Sequence, residues 1–193
     1  MNILFDTLPT TIKIDGNDVP IKTDFRCWIR FENVIQEYNL EAITIDEFVE
    51  MMNKIISILF LESQYIEPTY SLFIELINFF VGFDQGKKSK DSTQKVFDFQ
   101  VDSNAIYASF LKEYGIRLTN EEMHWYEFRT LFSNLSSDTP IGKLIQIRTT
   151  DENDISKEKR AEFRKLKEEV ALPVFGSYKQ DANVLKKLRD KLR

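Results

Sequence analysis

The chain has 193 residues, of which 42% are hydrophobic and 13% aromatic, and its formal net charge is −5. That length suits one domain, or one domain with a helical extension, and so much apolar side chain excludes global disorder. Sixteen Phe against six Gly and five Pro favour long helices over a many-turned β-sandwich.

Stretches free of Asp, Glu, Lys and Arg reach only nine residues, at Ser103–Leu111 and Val170–Tyr178. A membrane-spanning helix needs about twenty predominantly apolar residues, so none is expected. The opening Met1-Asn2-Ile3-Leu4-Phe5-Asp6 has no basic region and meets acid at once, so no secretory leader is expected either. A single cysteine, Cys27, excludes an internal disulfide and fits a reducing, cytoplasmic compartment. Charge is uneven. Lys157 to Arg193 carries twelve Lys or Arg against six Asp or Glu, a balance of +6, which leaves −11 on the preceding 156 residues. Such a basic arm suits an acidic partner or the protein's own acidic body.

Thr11–Ile14 alternates apolar and polar residues, Asp15–Asp18 has turn chemistry, and Val19–Lys22 alternates again, which predicts a β-hairpin with Pro20 on an edge strand. Thr23 or Asp24 can cap a helix with an apolar face of Phe25, Trp28, Ile29 and Ile35. Thr44 and Glu47 are spaced as a capping box, opening a helix that carries Phe48, Met51, Met52, Ile55, Leu59 and Phe60. Pro68 fits the first position of the next helix, with Leu72, Phe73, Leu76, Ile77 and Phe80 on its face. These two helices read as the core hairpin.

Gly82–Thr93 is the clearest loop. Val96–Val101 follows as a short strand or extended lead-in, and Asp102 or Ser103 starts a helix that stops at Gly115. Thr119 and Glu122 form a second capping box before a helix bearing Trp125, Phe128, Phe132 and Leu135. Thr139-Pro140 opens another through Ile147. Asp151–Ile155 reads as an acidic loop. Ser156 can cap a charged helix whose narrow stripe of Phe163, Leu166 and Val170 is expected to face inward. Val184–Leu192 has a similar stripe of Leu185, Leu188 and Leu192, each covering about one heptad, short of a coiled coil. The fold class is therefore mainly α: a helical core with a small N-terminal β-hairpin over residues 1–150, and charged, basic helices over residues 151–193.

Catalytic patterns are sparse. His124 is the only histidine, with no acid or nucleophile at a recognisable spacing, and a structural role is preferred. Cys27 beside Trp28 reads as a small buried hydrophobe. Gly82–Lys88 falls one residue short of a phosphate-binding loop and has Lys88 where Ser or Thr should stand. Asp151, Glu152 and Asp154 lack a calcium-loop pattern. Lys and Arg of the C-terminal region alternate with Glu158, Glu162, Glu168 and Glu169, the pattern of a solvated face, which counts against nucleic acid. No catalytic residue, cofactor or metal site is expected.

Several strings nevertheless stand in a telling order. They are Thr23–Glu32 (TDFRCWIRFE), Ile106–Ile116 (IYASFLKEYGI), His124–Arg129 (HWYEFR) through Leu135 and Pro140, Ile147-Arg148-Thr149, and Phe163–Lys167 (FRKLK). Together they cover most of the chain and resemble a bacteriophage tail protein family of Gram-positive bacteria, similar in placement and role to tail assembly chaperones. The resemblance implies a non-enzymatic tail morphogenesis factor that keeps the tape measure protein soluble while tail tube subunits polymerise around it. Its expected partners are the tape measure protein and then the tail tube protein, with room for a homo-oligomer, in the cytoplasm of an infected or lysogenic host. A structural tail component is the first rival, and a nucleic-acid-binding phage regulator the second. Interface anchors are commonly aromatic or Arg side chains, so Phe163, Arg164, Tyr178 and Leu188 are the candidate partner-binding residues.

Overall fold

Asp15 and Gly16 both hold positive φ, 50° and 85°, so two residues suffice to reverse the chain. The computed structural model describes residues 2–82 and 95–173. The turn joins β1 (Thr11–Ile14) to β2 (Asn17–Pro20), antiparallel, with Ile14 opposite Asn17 and Thr11 opposite Pro20. The second strand thus begins at Asn17, earlier than expected, because Asp-Gly closes the tightest hairpin turn without help from Asn17 and Asp18. The fold is mainly α. Among the described residues seven α-helices accompany this one ribbon, and they divide into two compact units, one within residues 2–82 and Met123–Phe128, the other within residues 95–122 and 129–173.

In the first unit, Asp24 caps α1 (Phe25–Gln36) by accepting from Arg26 N. The helix buries Phe25, Trp28, Phe31, Val34 and Ile35, while Ile29 turns to a half-buried flank. The capping box at α2 (Ile45–Leu59) forms as expected: Glu47 N donates to Thr44 Oγ1 and Thr44 N donates to Glu47 Oε2. Phe48, Met51, Met52, Ile55, Ile56 and Leu59 are buried, the period-3.6 face of an amphipathic helix. α3 (Tyr70–Val81) starts later than Pro68, because the Thr69 hydroxyl accepts from Leu72 N and makes Thr69 the cap. The expected α2–α3 hairpin is not the closest pairing. α1 lies along α2 and α3 lies against β1, while α2 and α3 meet through the edge-on rings of Phe48 and Phe73, 5.8 Å apart.

Aromatic rings fill this unit. Phe79 stacks on Trp28 at 4.6 Å and on Tyr126 at 5.0 Å, Phe80 stacks on Trp125 at 5.0 Å, and Phe25 on Phe128 at 4.5 Å. Such pairs contribute roughly 0.5–1.5 kcal/mol each beyond burial. Both buried indoles find acceptors, Trp28 Nε1 at Lys22 O and Trp125 Nε1 at Phe80 O.

The second expected capping box, Thr119 with Glu122, does not form. Residues 118–120 make a turn, Thr119 Oγ1 donates to Asn120 Oδ1, and α5 (Trp125–Ser133) starts beyond both. The competitor is a backbone bridge. Phe25 N donates to Met123 O and Trp125 N to Thr23 O, pairing Asp24 with His124 in extended conformation. A helix cannot begin until that pairing ends, so the capping chemistry moves to His124 and Glu127.

In the second unit, residues 95–102 form a lead-in and turn with no strand. Asp98 Oδ1 accepts from the amides of Gln100 and Val101, and Phe97 and Phe99 pack on Phe132. α4 (Ser103–Tyr114) stops at left-handed Gly115, with φ 70° and ψ 9°. α6 (Pro140–Thr149) has Thr139 as cap and Pro140 in its first turn. Buried Ser109 links the two: its hydroxyl donates to Ala105 O and accepts from Ile141 N. Gly142 is required by packing, since a Cβ there would run into Ser136 O and stand 2.8 Å from Ser137 Cα.

Arg148 ends this arrangement with a buried ion pair. Its Nη1 and Nη2 donate to Asp102 Oδ2 and Oδ1 at 2.6 and 2.8 Å, Nη1 also reaches Val96 O, and Nε reaches Val170 O. Asp102 stands at the cap position of α4 but makes no side-chain cap bond; its carboxylate serves Arg148 and the Asp98 amide. α7 (Arg160–Glu169) follows a 3-10 turn at Glu152–Asp154. Ser156 does not cap it. Ser156 O accepts from Lys159 N in a preceding turn, and Lys159 takes the cap position. The stripe on α7 is not buried: Phe163 and Val170 are half-buried and Leu166 is exposed. Val184–Leu192 and the Gly82–Thr93 loop, apart from Gly82, lie outside the described residues.

Two outcomes test this packing. Gly142→Ala should cost about 1–3 kcal/mol, since backbone has to move to admit the methyl, and should lower the Tm by several degrees in calorimetry. Asp102→Asn strands a buried guanidinium and should cost about 3–5 kcal/mol in urea unfolding. A loss below about 1 kcal/mol would show that the pair is dispensable.

Candidate interaction surface

The residues with chemical potential are used for structure. His124 Nδ1 accepts from Tyr126 N at 3.0 Å, so Nε2 carries the proton and donates to Pro9 O at 2.9 Å. Glu127 Oε2 accepts from His124 N, completing a reciprocal cap in which the imidazole replaces the usual hydroxyl. Both ring nitrogens are thus occupied. Cys27 is half-buried; burial and the nearby Asp24 carboxylate push its thiol up, against formation of the nucleophilic thiolate. Asp98 sits in the opposite field. Burial alone would raise its carboxyl, but Lys95 at 2.7 Å and the Val101 and Gln100 amides outweigh it and hold the group below its ordinary value. Among the described residues no three His, Cys, Asp or Glu side chains are grouped to hold a metal ion, and no helix is long and apolar enough to cross a membrane.

What the surface offers is apolar. In the first unit Leu4 and Phe5 are 81% and 84% exposed, and Leu61 and Tyr65 are 81% and 76% exposed. The N-terminal pair is held on a closed turn: Asn2 N donates to Asp6 Oδ2, Leu4 N to Asn2 Oδ1, and the amides of Phe5 and Asp6 to Asn2 O. Leu61 and Tyr65 both follow the stop of α2, Tyr65 within a 3-10 turn at Ser63–Tyr65. In the second unit Val101, Leu111 and Leu166 are exposed. Lys112 and Lys143 pair with Asp138 at the surface of this unit.

Of the residues expected to bind a partner, Phe163 is half-buried and Arg164 is exposed, the latter donating through Nε and Nη2 to Glu152 Oε2. That hydrogen bond, and the charge behind it, hold Glu152 below the ordinary carboxylate range. Tyr178 and Leu188 lie outside the described residues. Leu4, Phe5, Leu61 and Tyr65 were missed because sequence periodicity marks side chains that a helix buries, whereas these stand on turns. The signal available was local: Leu4-Phe5 runs directly into Asp6, and Leu61 into Glu62.

A family model described as Bacteriophage Gp15 protein matches residues 4–172 of the chain. No curated protein matches, and no solved structure matches.

The state of Cys27 is open to a direct check. With its thiol pushed up by burial, maleimide labelling of the folded protein at pH 7 should run at least ~10-fold slower than labelling in denaturant, and should go on accelerating with pH beyond the ordinary thiol range, where the denatured protein levels off. Equal rates in the two states would place Cys27 in open solvent.

Proposed function

We propose that this chain, which belongs to the bacteriophage Gp15 protein family, serves tail morphogenesis by binding the tape measure protein during assembly and keeping it soluble. Membership of that family makes it a phage structural or morphogenesis protein. The finer reading rests on the ordered resemblance to tail assembly chaperones and on one structural observation, the ordered presentation of Leu4 and Phe5 to solvent.

A long helical client buries its apolar side chains only when the tail tube surrounds it. A protein that shields such a client needs exposed apolar groups of limited extent on an otherwise polar surface. Leu4, Phe5, Leu61 and Tyr65 meet that description and are flanked by Asp6, Glu62 and Glu67, which keep the free protein from self-aggregating. The catalytic readings have less support, because His124 is committed on both nitrogens and the Cys27 thiol is pushed away from ionisation. In this reading the protein acts in the cytoplasm of the bacterial host, where tails are assembled, and the tail tube protein is a second partner through the same complex.

Coexpression with the tape measure protein of the same phage should raise that client's soluble yield and allow the two to be copurified. Leu4→Ser with Phe5→Ser should weaken capture at least ~10-fold while the Tm moves by less than about 2 °C, since the replaced side chains are exposed. A large fall in Tm would make them core residues. A chain that fails to capture the client yet is present in mature particles would be a structural part of the tail.

A further inference from the structure

α7 differs from every other described helix of its unit in what holds it. None of its side chains is buried, whereas α4 buries Ile106, Ser109 and Phe110, and α6 buries Ile141 and Arg148. Its ties are polar. Arg164 donates to Glu152, Lys167 Nζ to Thr150 O at 2.8 Å, and Arg160 Nε to Ile155 O at 3.0 Å. The helix has ten residues, fewer than the roughly 12–15 at which isolated helices become even marginal in water. Its cap position, Lys159, makes no side-chain cap bond. Exposed ion pairs contribute little and are screened by salt.

The last tie is through Arg148, and the geometry makes it separable. Nη1 and Nη2 are satisfied by the Asp102 carboxylate and Val96 O, whether or not α7 is in place; only Nε serves Val170 O at the end of α7. Losing that one bond leaves the buried ion pair intact, and a water can replace the carbonyl.

We propose that α7 is a detachable strap: it undocks as a unit while α4 and α6 stay folded, the step is controlled by the Glu152–Arg164 pair, and undocking frees the row Phe163, Leu166 and Val170 on one helical face. The device is electrostatic. Docked, α7 keeps Phe163 and Val170 half covered; released, it offers both together with Leu166, which is already 39% exposed. Because charges and single hydrogen bonds make up much of what holds α7 among the described residues, beside the half-covered Phe163 and Val170, ionic strength or an anionic partner competing for Arg164 shifts the balance without disturbing the core. Local opening of this kind needs few apolar contacts and solvent-exposed hydrogen bonds, both of which α7 shows. The inference is independent of which client the protein captures.

Amide hydrogen exchange on the full chain, read by mass spectrometry, tests it. At about 0.05 M salt the amides of residues 164–170 should exchange at least tenfold faster than those within α4 and α6, and several-fold faster again at about 0.5 M, where the screening length has shrunk to about 4 Å. Glu152→Gln should reproduce the high-salt rate at low salt and leave α4 and α6 unchanged. Protection of α7 equal to that of α6 would overturn the proposal. So would a rate that ignores both salt and Glu152→Gln, or one that rises equally in all three helices, which would mark unfolding of the whole unit.

Discussion

Arg148 brings a permanent positive charge into the second unit, and burying it dictates what the neighbouring segments can do. A guanidinium has five donors in a fixed plane, and leaving any of them without an acceptor in a dry interior is costly. Asp102 answers two of them end-on, at Nη1 and Nη2, and makes no capping bond at its position on α4. Val96 O and Val170 O each take one more, so the lead-in to α4 and the end of α7 both meet this one side chain. Asp98 then completes the turn that Asp102 leaves short of a cap, folding over Gln100 and Val101 and pairing with Lys95. Such a cluster does not add much stability over an apolar packing of the same volume. It does fix register: the pair closes only when Arg148 and Asp102 face one another across α6 and α4, which Ser109 and Gly142 bring into close approach.

The first unit solves a different problem, how to start two helices from one short bridge. Asp24 and His124 are paired in extended backbone and each becomes the cap of the helix that follows it. The helices leave the bridge with Phe25 and Trp28 on one, Trp125 and Phe128 on the other, and the rings of Phe79 and Phe80 from α3 stack between them. The stacking requires flat faces at defined separations. The bridge supplies that definition, with Trp28 and Trp125 each anchored further by an indole bond to backbone.

Much of this was legible from residues alone. Thr44 with Glu47, Thr139 before Pro140, and Gly115 after an amphipathic run carry their caps in the local sequence, and each does what local physics asks. Thr119 with Glu122 has the same spacing and fails, since the backbone partner that holds Met123 and His124 extended lies about a hundred residues away and leaves no local mark. The Arg148 cluster is hidden for the same reason: Asp102 is a good helix cap by sequence, and nothing nearby says that a distant arginine will claim it. The stripe on α7 misled in the opposite direction. Its spacing is correct for burial, but its neighbours Arg164, Lys165, Lys167, Glu168 and Glu169 leave too narrow an apolar strip to hold against solvent. The exposed residues on turns have no periodicity to read.

Exposure alone does not make a surface functional, for single apolar side chains stand in solvent on most proteins. Leu4 and Phe5 differ from that background in two respects. They are adjacent, and their backbone is closed by bonds from Asn2 and Asp6, which fix the turn without burying what it carries. Ordering a residue's backbone costs roughly 1–2 kcal/mol of conformational entropy, which burial of its side chain commonly offsets. Here hydrogen bonds offset part of that cost and the apolar groups remain outside. A turn so prepared gives a partner two large apolar contacts whose ordering has already been met, the condition under which a small contact area yields useful affinity. Asp6, whose carboxylate closes the turn through Asn2 N, also places a negative charge beside these apolar groups.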